Sequence, residues 1–233
     1  MGMQTIDDLL EKGREAIRKN DGKKGADYFR QAYEADPNSI DAMLELGRIS
    51  AAMGNLKEGQ KLIDLALQIQ QDHAFAHMLK GITLNLEKKY GESIVHFQRA
   101  LQMDPNLQMA YANMGMAQRE MGDLIESEAN LKKAIELNPD DYEAHYALGF
   151  TLSVAGKVEA GIMETLESIR INPLFMPGYL ALGAMYTAGG RTDVAETIYH
   201  EGLRHNPDAT PIRERLHQLS NIKKDFATAN GDR

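Results

Sequence analysis

Two histidines four residues apart share one face of a helix, the arrangement that supplies paired ligands to zinc in metalloproteases. His73 and His77 have that spacing, and His200 and His205 flank Glu201. Neither place has the HExxH order. His77 also stands in a column held elsewhere by Met43, Tyr111, His145 and Tyr179, which reads as a packing slot. Cysteine is absent, so disulfides, thiolate zinc sites and a thiol nucleophile are excluded. No P-loop, dinucleotide fingerprint or nucleophile elbow occurs, and the glycines of LGRIS and LGFTL lie within helical patterns. Carboxylates are scattered, and Glu126/Asn130 or Glu164/Ser168 need no role beyond helix solubility. Acid–base catalysis requires a pocket and a shifted pKa. The expectation is a chain with no catalysis, no cofactor and no metal.

Charge narrows the partners. Lysine and arginine number 26 against 34 acids, a net charge of -8, which opposes nonspecific attraction to nucleic acid and anionic lipid. Tracking a single strand needs a basic path with stacking aromatics, whereas aromatics are 6% of this chain and tryptophan is absent. The basic cluster Lys12, Arg14, Arg18, Lys19, Lys23 and Lys24 is diluted by Glu11, Glu15 and Asp21, as on a solvated helix face. The opening MGMQTIDDLL lacks the apolar stretch of a secretory signal, and Ile6 stands where a myristoylation motif wants Ser or Thr. No apolar run is long enough to span a bilayer. A cytoplasmic protein with a protein partner, no nucleic acid and no membrane insertion is expected.

The elements that position these side chains follow a strict period. Gly13, Gly47, Gly81, Gly115, Gly149 and Gly183 are spaced by 34 residues each time. Glycine within a helix costs roughly 1 kcal/mol relative to alanine, so a recurring one marks where a neighbouring helix passes closely. Two more columns are small: Gly25, Gly59, Ser93, Ser127, Gly161, Ala195, and Ala32, Ala66, Ala100, Ala134, Ser168, Gly202. Pro37, Pro105, Pro139, Pro173 and Pro207 close five units, with Gln71 in the remaining place. Apolar residues keep the helical period in each unit, as with Ala110, Met114 and Ala117. Six units follow, 6–39, 40–73, 74–107, 108–141, 142–175 and 176–209, each a pair of helices. Gly54, Gly122, Gly156 and Gly190 serve the interhelical turn, with Asn20 in the first unit. Lys88 replaces glycine in the third, where Gly91 follows, so a different turn is expected there. A lead (1–5), a capping helix (210–226) bearing Ile212, Leu216 and Leu219, and a flexible tail (227–233) complete the reading. Neither linker nor second domain is apparent.

These columns, with Leu46-Gly47, Leu148-Gly149, Leu182-Gly183, Phe29, Phe97, Tyr186 and Tyr199, resemble the tetratricopeptide repeat family over about residues 6–226. The resemblance implies an all-α, right-handed superhelical solenoid of six helical hairpins, whose first helices line a groove for peptides or partner helices. Some members clamp a carboxylate-ended peptide with paired lysine and asparagine. The matching pairs here, from Leu10/Arg14 to Leu180/Ala184, lack that combination, so that clamp is not expected.

The resemblance instead turns Phe75, Met78, Ile82, Met109, Met116, Tyr146 and Phe150 toward the groove, with Arg48, Asn85, Arg119 and Glu120 as its polar members. Contiguous exposed apolar surface marks binding sites, and methionine suits imprecise apolar partners. A bound peptide or amphipathic helix removing roughly 400 Å² of apolar area would gain about 10 kcal/mol before ordering costs. The same residues could instead be core between neighbouring repeats, or be covered by the amino end or another copy. A protein-binding scaffold or adaptor is the reading. A self-assembling homo-oligomer and a chaperone-like factor for export or assembly substrates are its alternatives.

Overall fold

A computed structural model of the protein describes residues 5–231. All regular structure among them is helical: α1 (Ile6–Arg18), α2 (Gly22–Ala35), α3 (Ile40–Ala52), α4 (Leu56–Ile69), α5 (Ala74–Leu86), α6 (Tyr90–Met103), α7 (Gln108–Met121), α8 (Leu124–Leu137), α9 (Tyr142–Val154), α10 (Val158–Ile171), α11 (Met176–Ala188), α12 (Thr192–His205) and α13 (Thr210–Gly231). The chain divides into two compact units, one ending at Met121 and the next beginning at Gly122. The division falls in the turn between α7 and α8, inside the fourth 34-residue frame.

In the first unit α1 pairs with α2, α3 with α4 and α5 with α6, and each pair packs on the helix that follows it. The leading helices also touch one another, α3 against α5 and α5 against α7. The core runs through Leu10, Phe29 and Leu46, then through Leu44, Ile63, Leu79 and Phe97. In the second unit α9 pairs with α10 and α11 with α12, while α8 packs on α9 and α10 on α11. Tyr179, Tyr199 and Ile212 centre a core cluster there.

The periodic small residues are close-approach sites. A Cβ on Gly81 would lie 2.6 Å from the ring of Phe97, itself fully buried on α6. That contact explains a glycine in mid-helix: packing outweighs propensity. The turns obey the same period by another route. Asn20, Gly54, Lys88, Gly122, Gly156 and Gly190 all have positive φ, between 59° and 91°. The different turn expected for the third unit is therefore corrected. Lys88 takes φ 60° as the others do, and Gly91 belongs to α6. A left-handed residue stands at all six places, and Lys88 bears the conformation that glycine elsewhere adopts freely.

The leading helices α1, α3, α5 and α9 are capped by side chains: the Thr5/Asp8 capping box on α1, Ser39 on α3, the His73 ring on α5 and Asp141 on α9. Thr5, read as part of a lead, is thus the start of the first helix; residues 1–4 lie outside the described ones. At the other end α13 packs on α11 and α12 with Ile212 and Leu219 buried. It runs to Gly231, not 226, so the expected tail is helical over 227–231. No proline interrupts that stretch, and Ala227 and Ala229 favour helix. Residues 232–233 of the expected tail lie outside the described ones.

Candidate functional site

Leading helices α3, α5 and α7 bring one cavity together in the first unit. It encloses about 590 Å³, within the about 300–1,000 Å³ typical of ligand clefts. Glu45, Arg48, Ala51 and Ala52 come from α3; Phe75, Met78, Leu79, Ile82, Thr83 and Leu86 come from α5; Met109 comes from α7 and Ile63 from α4. The floor is core: Ile63, Met78 and Leu79 are at most 3% exposed. Phe75 and Ile82 are half-buried against that core, while Leu86 and Met109 at the mouth are 60% and 50% exposed. The α5 contribution follows from helical spacing, since Phe75, Met78, Leu79, Ile82 and Leu86 recur at three- and four-residue intervals.

The cavity has one charged wall. Glu45, an acid on a leading helix with a side chain only 12% exposed, accepts Arg14 Nε at 2.9 Å on one oxygen. Its other oxygen accepts Arg48 Nη2 at 2.8 Å and Nε at 3.2 Å. The Glu45 hydrogen bond raises the Arg14 pKa above its ordinary value, against the opposing effect of burial.

Of the residues expected in a groove, Phe75, Met78, Ile82, Met109 and Arg48 therefore line one cavity. Met78 does so as a core side chain, 2% exposed, so it forms the floor instead of a free surface. Met116 and Asn85 belong to the same unit without lining the cavity. Met116 is half-buried, and Asn85 Nδ2 donates to the Asn113 carbonyl at 3.0 Å. Arg119 is held by its neighbour Glu120 at 2.8 Å. Tyr146 and Phe150 lie in the second unit, where Tyr146 meets Phe175 edge-on at 5.2 Å and Phe150 is 41% exposed. Glu45, Leu79 and Leu86 went unforeseen. Leu86 was legible as the next turn after Ile82. Glu45 was not, because its column otherwise holds Glu11, Leu79, Asn113, Ala147 and Ala181.

The histidines have structural bonds. His77 Nε2 lies 2.9 Å from the Gln71 carbonyl, His145 Nε2 lies 3.1 Å from that of Pro139, and Tyr179 OH donates to that of Pro173 at 3.1 Å. Each ring thus ties down the loop six residues before it. Towards the second helix, His145 Nδ1 meets Glu164 at 2.7 Å and His77 Nδ1 meets His96 Nδ1 at 2.9 Å. With Nε2–H of His77 donated to Gln71, its Nδ1 is an acceptor, so His96 must donate from Nδ1. Burial, then His77, Lys80 and Arg99, push the His96 pKa down to about 4. Among the described residues no group of three or more His, Asp or Glu could hold a metal ion, and no helix is long and apolar enough to cross a membrane.

Family comparisons bear directly on this architecture. Residues 16–81 match a tetratricopeptide repeat model, and residues 117–153 match a second model described as a TPR repeat. Tetratricopeptide repeats are present in this chain. Superkiller protein 3 of Saccharomyces cerevisiae is 28% identical over 86 residues, which are 37% of this chain and 6% of that protein. The chain thus spans a small fraction of that relative. Among solved structures, the APC/C hetero-tetramer Cut9-Hcn1 matches with a TM-score of 0.83 and 14% identity, covering 93% of this chain and 43% of that one. PilW, a type IV pilus biogenesis factor, matches with a TM-score of 0.81 and 21% identity, over 92% of this chain and all of that one. At such identities the likeness is one of fold. The repeats support a generic scaffold for protein–protein interaction.

Proposed function

We propose that the scaffold holds an apolar segment of a partner protein, a short peptide or one face of an amphipathic helix, in the cavity between α3, α5 and α7. One observation carries this reading: Leu86 and Met109 stand 60% and 50% exposed at the mouth of a cavity whose floor is the first unit's own core. Exposed apolar side chains that border an unfilled concavity gain most from an occupant, because both are removed from water together. An amphipathic helix fits such a site by placing residues one turn apart along it.

The test begins with a partner isolated from the source cell and identified by mass spectrometry, whose apolar segment is then titrated against the purified chain. Leu86→Glu combined with Met109→Glu is expected to weaken binding at least about tenfold with helicity by circular dichroism unchanged, since both side chains already face water. Ile125→Glu, at a side chain 82% exposed in the second unit, is expected to leave binding intact. Equal binding by the double variant would remove the cavity from the function. Concentration-dependent self-association that the double variant abolishes would make the occupant a second copy instead.

A further inference from the structure

We infer that the occupant of this cavity carries an Asp or Glu side chain at the border of its apolar face, and that Arg48 is the residue that reads it. The inference rests on the docking reading above and adds the chemistry of the partner. Glu45 and Arg48 are the charged side chains of the lining. Both oxygens of Glu45 are engaged, one by Arg14 and the other by Arg48. Glu45 is thus shared by two guanidiniums, Arg48 in the lining and Arg14 outside it, so it neutralises Arg48 only in part. Arg14 also lies in the field of Asp41, which is exposed, and of Glu11, which is paired with Arg18 at 2.7 Å. Arg48 spends its Nε and one Nη2 hydrogen on Glu45, out of five N–H donors. Its side chain is 34% exposed, whereas that of Glu45 is 12% exposed. Three N–H donors of Arg48 thus remain, against about one lone pair of the more buried Glu45, so this wall offers mainly donors.

Beside apolar walls a charge-assisted bond gains strength, so an arriving carboxylate is favoured over an amide. An arriving ammonium would face a guanidinium instead. The lining continues a full turn beyond Arg48, to Ala51 and Ala52, and it also takes in Phe75 and Met109, which stand two turns before the Arg48 position in the 34-residue frame. A segment that meets Arg48 has wall on both sides of that point, which favours a side chain in mid-segment over a chain end.

Amidated helical peptides with leucines at i, i+3, i+4 and i+7 supply the probe, with Glu, Gln or Lys at one border position. The full chain is expected to bind the Glu peptide about tenfold more tightly than the Gln peptide, and the Lys peptide least well. In Arg48→Gln the preference for Glu over Gln should vanish while the Gln peptide still binds. In Glu45→Gln, which frees Arg48 from its internal partner, the preference should widen. Equal binding of Glu and Gln peptides by the unaltered chain would overturn the inference and leave the docking reading standing. Tighter binding of an acid-free peptide with a free terminal carboxylate would overturn it too, by assigning Arg48 to a chain end. Binding of no peptide would overturn both.

Discussion

His77, His145 and Tyr179 each spend one polar side-chain atom on a loop carbonyl six residues upstream, and the two histidines then differ in what their second nitrogen meets. His145 faces the Glu164 carboxylate; His77 faces His96. That difference has a pH consequence. An unfolded histidine titrates near about 6.5, whereas His96 in the fold is held down to about 4 by burial and by its cationic neighbours, with Asp64 opposing weakly. Between those values the unfolded chain binds the proton and the folded one does not. The contribution is thus fully present above about pH 6.5 and is lost as pH falls toward about 4. Because His96 is only half-buried, screening reduces it to about 1–2 kcal/mol. Urea unfolding at pH 7 and pH 4.5 should therefore show a smaller loss for His96→Gln than for the unaltered chain. The histidine slot was readable from its column, since Met43, Tyr111 and Tyr179 share it; the His96 partner was not, because nothing in a one-dimensional spacing marks which second-helix side chain faces the ring.

Among elements, the turns show most clearly what period alone conveys. The glycines at 54, 122, 156 and 190 advertise a left-handed residue, and Asn20 tolerates one, so those turns were legible. Lys88 hid the same conformation under a residue that disfavours it, and Gly91 was a false signpost inside a helix. Lys88→Gly should consequently raise stability by about 1 kcal/mol, relieving the αL cost of a side chain without altering a buried contact, since Lys88 is exposed. Thermal unfolding that leaves the midpoint unchanged or lowers it would contradict this account of the turn. The end of α13 was misread for a simpler reason: a short polar stretch looks like a tail unless the helix propensity of Ala227 and Ala229 is counted.

For the molecule as a whole, the 34-residue columns made the paired helices and their close approaches legible, because buried glycine beside a buried ring is a demand of packing. They could not divide core from cavity. Met78 and Ile82 occupy similar sequence environments, yet Met78 is sealed beneath the cavity while Ile82 is half-buried in its wall. That distinction depends on how far neighbouring leading helices stand apart, which depends on side chains from three hairpins at once. The chain carries 13 methionines and no cysteine, so methyl-labelled methionine reports on both units without other modification. The deciding measurement is the methionine methyl NMR spectrum of the full chain titrated with its isolated partner segment. Shifts at Met78 and Met109, with Met163 of the second unit (70% exposed) unmoved, are the predicted result. Shifts at Met163 with Met78 and Met109 unmoved would contradict docking in the cavity.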